Sequence, residues 1–402
     1  MPEFIPYGRQ QIDDDDIAAV TKVLRSDFLT TGPAVGHFES VLSDKTGAKY
    51  AIACANGTAA LHLSTMALGL GPGDAVVVPA VTFLATANAV RFAGAEVVFS
   101  DVDPETGLME SDHLEEALER ISDLTPRAVI PVDLNGQCVD LVTINKVAEH
   151  AGITIIMDSC HSIGARFTNS DGKLEPVGSG KHAAMTCFSF HPVKTVAMGE
   201  GGAVTTNDPV LADRLQRLRN HGMTRDSQNF TEKEQAFASD STPFPWYYEM
   251  PELGYNYRAS DLHCALGSSQ LAKLQCFVTR RRYLVDLYDQ LLSPFSPTIK
   301  PPSRVSGCEP AWHLCVVRID FTEIEKERAV IVKELLEKGI GTQVHYLPVN
   351  RQPYYKRRYG SLQLPGANIY YDQVLSLPLF PGMTDNDVAY VVNTLIYVTG
   401  VG

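Results

Sequence analysis

The sequence predicts an α/β protein in which a large domain with a mostly parallel mixed sheet precedes a small C-terminal α+β domain. Short apolar runs alternate with helical patterns through the first two-thirds of the 402 residues, which is typical of a sheet wrapped in helices. After a proline-rich joint at 294–302 the alternation resumes with fewer elements. We therefore predict a large domain over 1–270 and a small domain with its linking helix over 271–402. An N-terminal arm, 1–30, can pack with the small domain.

The individual elements follow from these patterns. Strands are predicted at 51–55, 75–80, 96–102, 128–134, 153–158, 184–190 and 203–206, and later at 312–320 and 341–346. Helices are predicted at 58–70, 84–93, 114–121, 139–151, 259–293, 324–338 and 386–398. The acidic run 13–16 favours a helix start over a metal site, because acids stabilise the positive end of the helix dipole. The basic run 280–282 predicts a solvated helix face, and the polar and then aromatic segment 226–250 predicts a long surface loop.

Composition and motif searches exclude several classes of protein. A net charge of −13 argues against a sequence-independent nucleic-acid binder, and no apolar run approaches the roughly 20 residues of a membrane span. Eight scattered cysteines without a C-x-x-C pair, and no signal segment, predict a reduced, cytoplasmic protein. The GLGPG run at 69–73 precedes a strand, whereas a dinucleotide fingerprint follows one, so a Rossmann dehydrogenase is disfavoured.

Polar residues follow several predicted strands, at the edge where open α/β sheets collect ligands. Gly57 and Thr58 open a helix after the first strand, where free N–H groups and a hydroxyl suit a phosphate. Simple capping by Asn56 or Thr58 explains the same pattern. Asp158 ends a very apolar strand and needs a cationic partner. It can ligate a metal, cap the next turn or pair with the ring nitrogen of a cofactor.

Two further segments carry residues with chemical potential. Lys194 lies in a short turn after a strand and before the glycine-rich return 199–202, although most single lysines are surface residues. Desolvation between buried strands lowers the pKa of such an amine towards the nucleophilic range. Asn256 and Arg258 are framed by tyrosines and either grip a phosphate or nucleotide, or form a packed turn with a surface salt bridge.

The order of these features is more informative than any one of them. The motifs are NGTAAL at 56–61, Phe83, DSCH at 158–161, SFHPVK at 189–194, GEGGA at 199–203, RNHGM at 219–223 and GYNYR at 254–258. Together they resemble the DegT/StrS sugar-nucleotide aminotransferases over essentially the whole chain. The resemblance implies the fold-type-I architecture and pyridoxal 5′-phosphate (PLP) as cofactor, with pyridoxamine phosphate (PMP) as its amino-bearing form. It also implies a homodimer with active sites at the interface.

The resemblance also assigns roles to individual residues. Lys194 would form the Schiff base and move protons, and Asp158 would pair with the pyridine nitrogen. The other cofactor contacts would be Gly57, Thr58 and Ser189 at the phosphate, Phe83 on the ring face and His161 near the ring oxygen. Asn256 of the partner subunit would complete the phosphate site. Substrate contacts are expected from Tyr7, Thr31, His191, Arg258, His345 and Tyr346, and no metal is expected.

Within the family, the motifs are most similar to members of the pseudaminic-acid pathway. These transfer an amino group from L-glutamate to C4 of a UDP-linked 4-keto-6-deoxy-N-acetyl hexose. Another UDP- or dTDP-linked keto-deoxysugar is the alternative substrate, and a non-catalytic PLP-binding regulatory protein is the alternative of another class. PLP-dependent sugar dehydratases carry histidine where this chain has Lys194. The polar stretch 169–182 is longer than in the family, and we expect a surface hairpin that leaves the site untouched.

Overall fold

The computed structural model describes residues 4–401 of the chain. Nine strands lie in its first half: β1 (Tyr50–Cys54), β2 (Asp74–Pro79), β3 (Glu96–Ser100), β4 (Thr125–Val129), β5 (Thr154–Asp158), β6 (Arg166–Thr168), β7 (Leu174–Pro176), β8 (Met185–Ser189) and β9 (Gly202–Thr206). Seven of them form one sheet in the order β1-β9-β8-β5-β4-β2-β3. Only β9 runs against the others, so the predicted mostly parallel mixed sheet is confirmed.

This topology brings functional loops to one edge. Because β1, β2, β5 and β8 point the same way, the segments that follow them meet at the carboxyl edge of the sheet. The predicted strand 128–134 is wrong at both ends, since β4 stops at Val129. Pro131 has no N–H to continue the ladder, and a single bridge joins Val132 to Asp158 instead.

Helices cover both faces of this sheet. They are α1 (Asp14–Leu24), α2 (Pro33–Thr46), α3 (Gly57–Ala67), α4 (Leu84–Phe92), α5 (Ser111–Glu119), α6 (Leu141–Ala151), α7 (Pro209–Leu218) and the short α8 (Lys233–Ala236). The acidic run starts α1 as predicted, with a capping box between Asp13 and Asp16. Segment 226–250 is largely irregular. It is organised by Glu249, whose carboxylate accepts from the N–H groups of Thr231 and Glu232, both at 2.8 Å.

The second half contains the remaining elements: α9 (Asp261–Ala272), α10 (Leu274–Leu292), β10 (Ile299–Lys300), β11 (Cys308–Glu309), β12 (Cys315–Ile319), α11 (Arg328–Glu337), α12 (Pro353–Tyr359), α13 (Pro365–Gln373), β13 (Val374–Leu377) and α14 (Asp385–Thr399). The predicted helix 259–293 is two helices that meet at Lys273, where the backbone leaves helical geometry. The predicted strand 341–346 is wrong. Only Gln343 bridges to Ser376, because the chain then turns His345 inwards to bond the same serine.

The buried apolar residues form two hydrophobic clusters. The larger surrounds the seven-stranded sheet, and the smaller joins α10, α11 and α14 to the sheet β10-β12-β13. Ile5 belongs to the smaller cluster, because its backbone bonds Gly339 and Gly341 at 2.9 and 2.8 Å. The division at 270 stays a prediction, and its outermost residues, 1–3 and 402, lie outside the described part.

The stretch 169–182 forms most of a hairpin, β6–β7, whose edge pairs with β11. That this stretch leaves the site untouched stays a prediction. Ser179 and Lys181 line a small cavity together with Asp133, next to the end of β5. The basic run 280–282, predicted to be a solvated helix face, is only partly solvated, because Arg281 is 1% exposed. None of the helices in residues 4–401 is long and apolar enough to cross a membrane.

Candidate active site

Lys194 lies in a turn closed at both ends by the strands it connects. The N–H of Phe190 donates to the carbonyl of Gly201, and the N–H of Met198 donates to Phe190, both at 2.8 Å. Burial lowers the pKa of Lys194 to about 8, against smaller opposing effects of Cys160 and Asp158. Across residues 4–401, no carboxylate lies within ion-pair distance of its amine. An amine in this setting is deprotonated far more readily than a surface lysine.

Asp158 ends β5, which pairs directly with β8, the strand that precedes Lys194. Its side chain is 5% exposed, and its two oxygens have separate partners. The hydroxyl of Thr86 donates to Oδ2 at 2.7 Å, and the N–H of Cys160 donates to Oδ1 at 3.2 Å. The sequence reasoning missed Thr86. The available signal was a single hydroxyl among alanines in α4, on the side that turns out to be fully buried.

Gly57, Thr58 and Ser189 form a cradle between α3 and the end of β8. A Cβ at Gly57 would lie 2.8 Å from the Cβ of Ser189 and 3.2 Å from the sulfur of Cys160, so only glycine fits. Asn56 caps the helix by accepting from the N–H of Ala59. The N–H groups of Gly57 and Thr58, which precede it, have no acceptor in the described chain. Such N–H groups at a helix start bind anions.

Phe83, His161 and Tyr346 lie close together and form an aromatic wall. Phe83 is 55% exposed at the start of α4, with its ring centre 6.1 Å from that of Tyr346. His161 is buried; its Nδ1 accepts from the N–H of Asn135 at 3.3 Å, and its Nε2 is 3.2 Å from the Tyr346 hydroxyl. Since a backbone N–H can only donate, the proton of neutral His161 is on Nε2 and is donated to Tyr346. Burial, and then the charge of Lys194, keep the pKa of His161 well below its usual value.

His345 and Tyr7 lie beside that wall. Nδ1 of His345 is 2.8 Å from the Ser376 hydroxyl, and its ring centre is 5.6 Å from that of Tyr7. Burial lowers the pKa of His345 to about 3, with Lys194 adding to the effect. The structure therefore brings Tyr7, His345 and Tyr346 together, whereas His191 is exposed on the outside of the Lys194 turn.

The remaining predicted contacts form a separate group. Arg258 donates to the side chain of Asn220 at 2.5 Å and lines a cavity of about 310 Å³ with Thr31. Asn256 is exposed and bridges Asn220 through the backbone. None of these residues is hydrogen-bonded to Lys194 or Asp158 in the part of the chain that is described. A phosphate contact from Asn256 of a partner subunit stays a prediction.

A mostly parallel sheet with a partly buried, desolvated lysine, a neighbouring carboxylate and an anion cradle at its carboxyl edge is the arrangement of an aminotransferase. The chain belongs to the DegT/DnrJ/EryC1/StrS aminotransferase family, whose model matches residues 10–396. The family and the enzyme class predicted from the motifs are thereby confirmed, and the similar structures confirm the fold type.

Three similar proteins extend over nearly the whole chain. The spore coat polysaccharide biosynthesis protein SpsC of Bacillus subtilis is 36% identical over 397 residues, 98% of this chain and 96% of its own. Spr1654 of Streptococcus pneumoniae, assigned as a sugar aminotransferase and solved in its PMP form, is 29% identical with a TM-score of 0.87, covering 99% and 98%. Helicobacter pylori PseC, an aminotransferase of pseudaminic-acid biosynthesis, is 25% identical with a TM-score of 0.87, and the match covers all of both chains.

Proposed function

We propose that this sugar aminotransferase uses PLP to place an amino group on a keto sugar carried by a nucleotide. The observation that carries the proposal is Lys194, a buried amine with a pKa lowered to about 8 at the sheet edge where Asp158 and the Gly57 cradle also lie. The PMP and PLP forms of Spr1654 support the same cofactor.

The residues present fit the three parts of this cofactor. The cradle of Gly57, Thr58 and Ser189 supplies N–H and hydroxyl donors for a phosphate and has no room for a further side chain. Lys194 supplies an amine for the aldehyde carbon, and Asp158 supplies a carboxylate for a protonated ring nitrogen. When bound, the cofactor withdraws electrons from the carbon that loses its proton.

Each residue then has a defined task. Nζ of Lys194 accepts the proton of the amino donor and returns it, which its lowered pKa permits near neutral pH. Asp158 would hold a proton on the ring nitrogen, and Thr86 fixes the orientation of that carboxylate. Phe83, exposed at the start of α4, would lie against the ring. His161 orients Tyr346 at the aromatic wall, where Tyr7 and His345 are placed for the sugar.

For the finer substrate we propose C4 of a UDP-linked 4-keto-6-deoxy-N-acetyl hexose, with L-glutamate as donor. Support comes from the motif similarity to pseudaminic-acid pathway enzymes and from the full-length match to PseC. Another UDP- or dTDP-linked keto-deoxysugar is the alternative. We also propose a homodimer in which Asn256 of the partner subunit completes the phosphate site. The family resemblance and the exposure of Asn256 support this part of the proposal. A cytoplasmic location stays a prediction.

A half-reaction screen tests the acceptor. Purified enzyme is converted to its PMP form with L-glutamate and mixed with a panel of UDP- and dTDP-linked keto sugars, while the return of PLP absorbance is followed. We expect the UDP-linked 4-keto N-acetyl sugar to react fastest. A faster reaction with a dTDP sugar would move the assignment to the alternative, and no reaction with any nucleotide sugar would contradict the proposed function.

A further inference from the structure

A second buried carboxylate, Asp133, lies directly behind the turn that carries Asp158 and His161. Its side chain is 2% exposed. The N–H of Asp158 donates to the carbonyl of Pro131 at 2.9 Å, and the N–H of Asp133 donates to the carbonyl of Asp158 at 3.0 Å. Asp133 is therefore fixed to the end of β5 by backbone bonds on both sides.

The Asp133 carboxylate holds this turn through two serines. Its Oδ2 accepts from the hydroxyl of Ser159 at 2.7 Å and from that of Ser162 at 2.9 Å. Its Oδ1 accepts from the N–H of Val139 at 3.1 Å. Ser159 directly follows Asp158 and Ser162 directly follows His161, so the turn is anchored at both ends by one carboxylate.

No lysine or arginine in residues 4–401 forms an ion pair with Asp133. The titratable groups that face it are Asp158 from β5 and, around a water-sized cavity of about 10 Å³, Cys138 and Lys181. Lys181 is paired with Glu175 at 2.5 Å. The charge of Asp133 is therefore held by hydrogen bonds alone.

Burial raises the pKa of Asp133 to about 6, and the charge of Asp158 adds to the rise. The hydroxyls of Ser159 and Ser162 and the N–H of Val139 oppose it, because they stabilise the ionised form. Asp133 consequently changes its charge in a range where an enzyme can be assayed.

We propose that Asp133 is a positioning residue of the transaminase site, whose ionised carboxylate keeps Ser159 and Ser162 in place and thereby orients Asp158 and His161 towards the cofactor. The proposal rests on the role given above to Asp158. Protonation of Asp133 leaves its carboxyl group a weaker acceptor for the two serines. The turn then loses part of its anchor, and cofactor binding weakens.

Folding stability and cofactor affinity should respond oppositely to pH. Because the folded pKa of Asp133 is raised above its ordinary value of 3.8, the folded protein binds a proton between about pH 4 and 6 that the unfolded chain has lost. The contribution of Asp133 to the free energy of unfolding therefore increases as the pH falls through this window. Cofactor affinity decreases through the same window. A merely structural Asp133 would leave the affinity unchanged.

The test measures the dissociation constant of PLP for the apoprotein between pH 5 and 8, by quenching of protein fluorescence. We expect affinity for the wild type to fall about tenfold more than for Asp133→Asn between pH 7 and pH 5, one pH unit below the pKa of Asp133. At pH 8 the variant should bind PLP about tenfold more weakly than the wild type, the scale of one hydrogen bond to a charged group. The same pH dependence in both proteins would overturn the proposal.

Two further variants control for folding. Ser162→Ala removes one donor and leaves the carboxylate in place, so PLP binding should weaken about threefold to tenfold. Its pH dependence should remain but move to higher pH, because the lost hydroxyl no longer favours the ionised form of Asp133. Asp101→Asn is matched in burial, since Asp101 is 9% exposed and accepts from Gly366 and Ala367 at the start of α13. It should lower thermal stability without changing PLP affinity.

These variants also keep the two proposals apart. If Asp133→Asn fails to fold, equal PLP affinities for Ser162→Ala and Asp101→Asn would contradict the positioning role. If the wild type itself binds no PLP, the proposed function fails, whatever the variants do.

Discussion

The two halves of the molecule surround a desolvated cation differently. Arg281, in α10, is 1% exposed, and its Nη1 donates to the carbonyl oxygens of Trp312, His313 and Leu379 at 3.0 to 3.4 Å. Lys194, at the edge of the large sheet, has no acceptor for its amine in residues 4–401. Neither cation has a carboxylate partner there.

Burial lowers the pKa of both cations by a similar amount, so the two differ in the ordinary pKa of their side chains and in the acceptors around them. Burial lowers the pKa of Arg281 to about 10 and that of Lys194 to about 8. Arg281 therefore stays protonated at neutral pH, where three carbonyl dipoles use its charge. Lys194 is close to losing its proton and has nothing that holds the charge in place.

The largest effect is expected when Lys194, the reactive cation, is replaced. Lys194→Ala should lower transamination at least about 10³-fold, because the amine that moves the proton is gone. It should also abolish covalent trapping of PLP by borohydride. Lys173→Ala, at an exposed lysine of the β6–β7 hairpin, is the control and should behave as the wild type. Trapping of PLP in Lys194→Ala would show that another residue holds the cofactor.

Arg281→Met removes the structural cation. Three carbonyl groups lose their donor in a buried place, so the free energy of unfolding should fall by about 2–4 kcal/mol. Activity per folded molecule should be retained. Urea unfolding measures the first, and active-site titration the second. The control is Arg280→Met, on the same helix as Arg281. It removes a partly exposed arginine that pairs with Asp385 of α14 and should cost about 1 kcal/mol or less.

A pH experiment sharpens the comparison at Lys194 itself. Since its folded pKa, about 8, lies below the ordinary 10.5, the unfolded chain binds more protons between these values. The free energy of unfolding of the apoprotein should therefore gain a contribution as the pH rises from about 8 to 10.5. Urea unfolding of the wild type and of Lys194→Met isolates that contribution. Parallel stability curves would show that the lysine is not desolvated.

The smallest effect concerns the carboxylate beside Lys194. Thr86→Val removes the hydroxyl that donates to Asp158 at 2.7 Å and should lower kcat about tenfold, with little change in stability. Thr86→Ser keeps a hydroxyl and should recover most of the rate. If serine and valine have equal rates, the hydrogen bond has no part in catalysis.

The sequence was sufficient to predict the parts of the fold that depend on alternation. The seven-stranded sheet and the strand-end positions of Gly57, Asp158 and Lys194 followed from apolar runs and their punctuation. The sequence was insufficient where contacts between distant parts of the chain determine the local conformation or burial. The burial of Arg281 depends on carbonyls near 312 and 379, and the non-strand conformation near His345 depends on a bond to Ser376.

The same limit applied to the candidate site. Motif order located its main residues, but the support behind Asp158 could not be read from the sequence. Thr86 and Asp133 are common polar residues in local patterns that predict nothing unusual. Only the packing of α4 and of the segment after β4 against the end of β5 gives them their contacts.

The pairing of β11 with β6 joins stretches far apart in the sequence. Cys308 and Glu309 lie opposite Phe167 and Arg166, and the N–H of Thr168 donates to Gly307 at 2.8 Å. A break in the polypeptide within 226–250 would therefore leave two pieces that share a strand interface and interlocking apolar surfaces. Separated, the first piece would carry an unpaired strand edge, which favours reassociation with its complement. We expect the protein to be reconstituted from two separately expressed fragments divided at that loop.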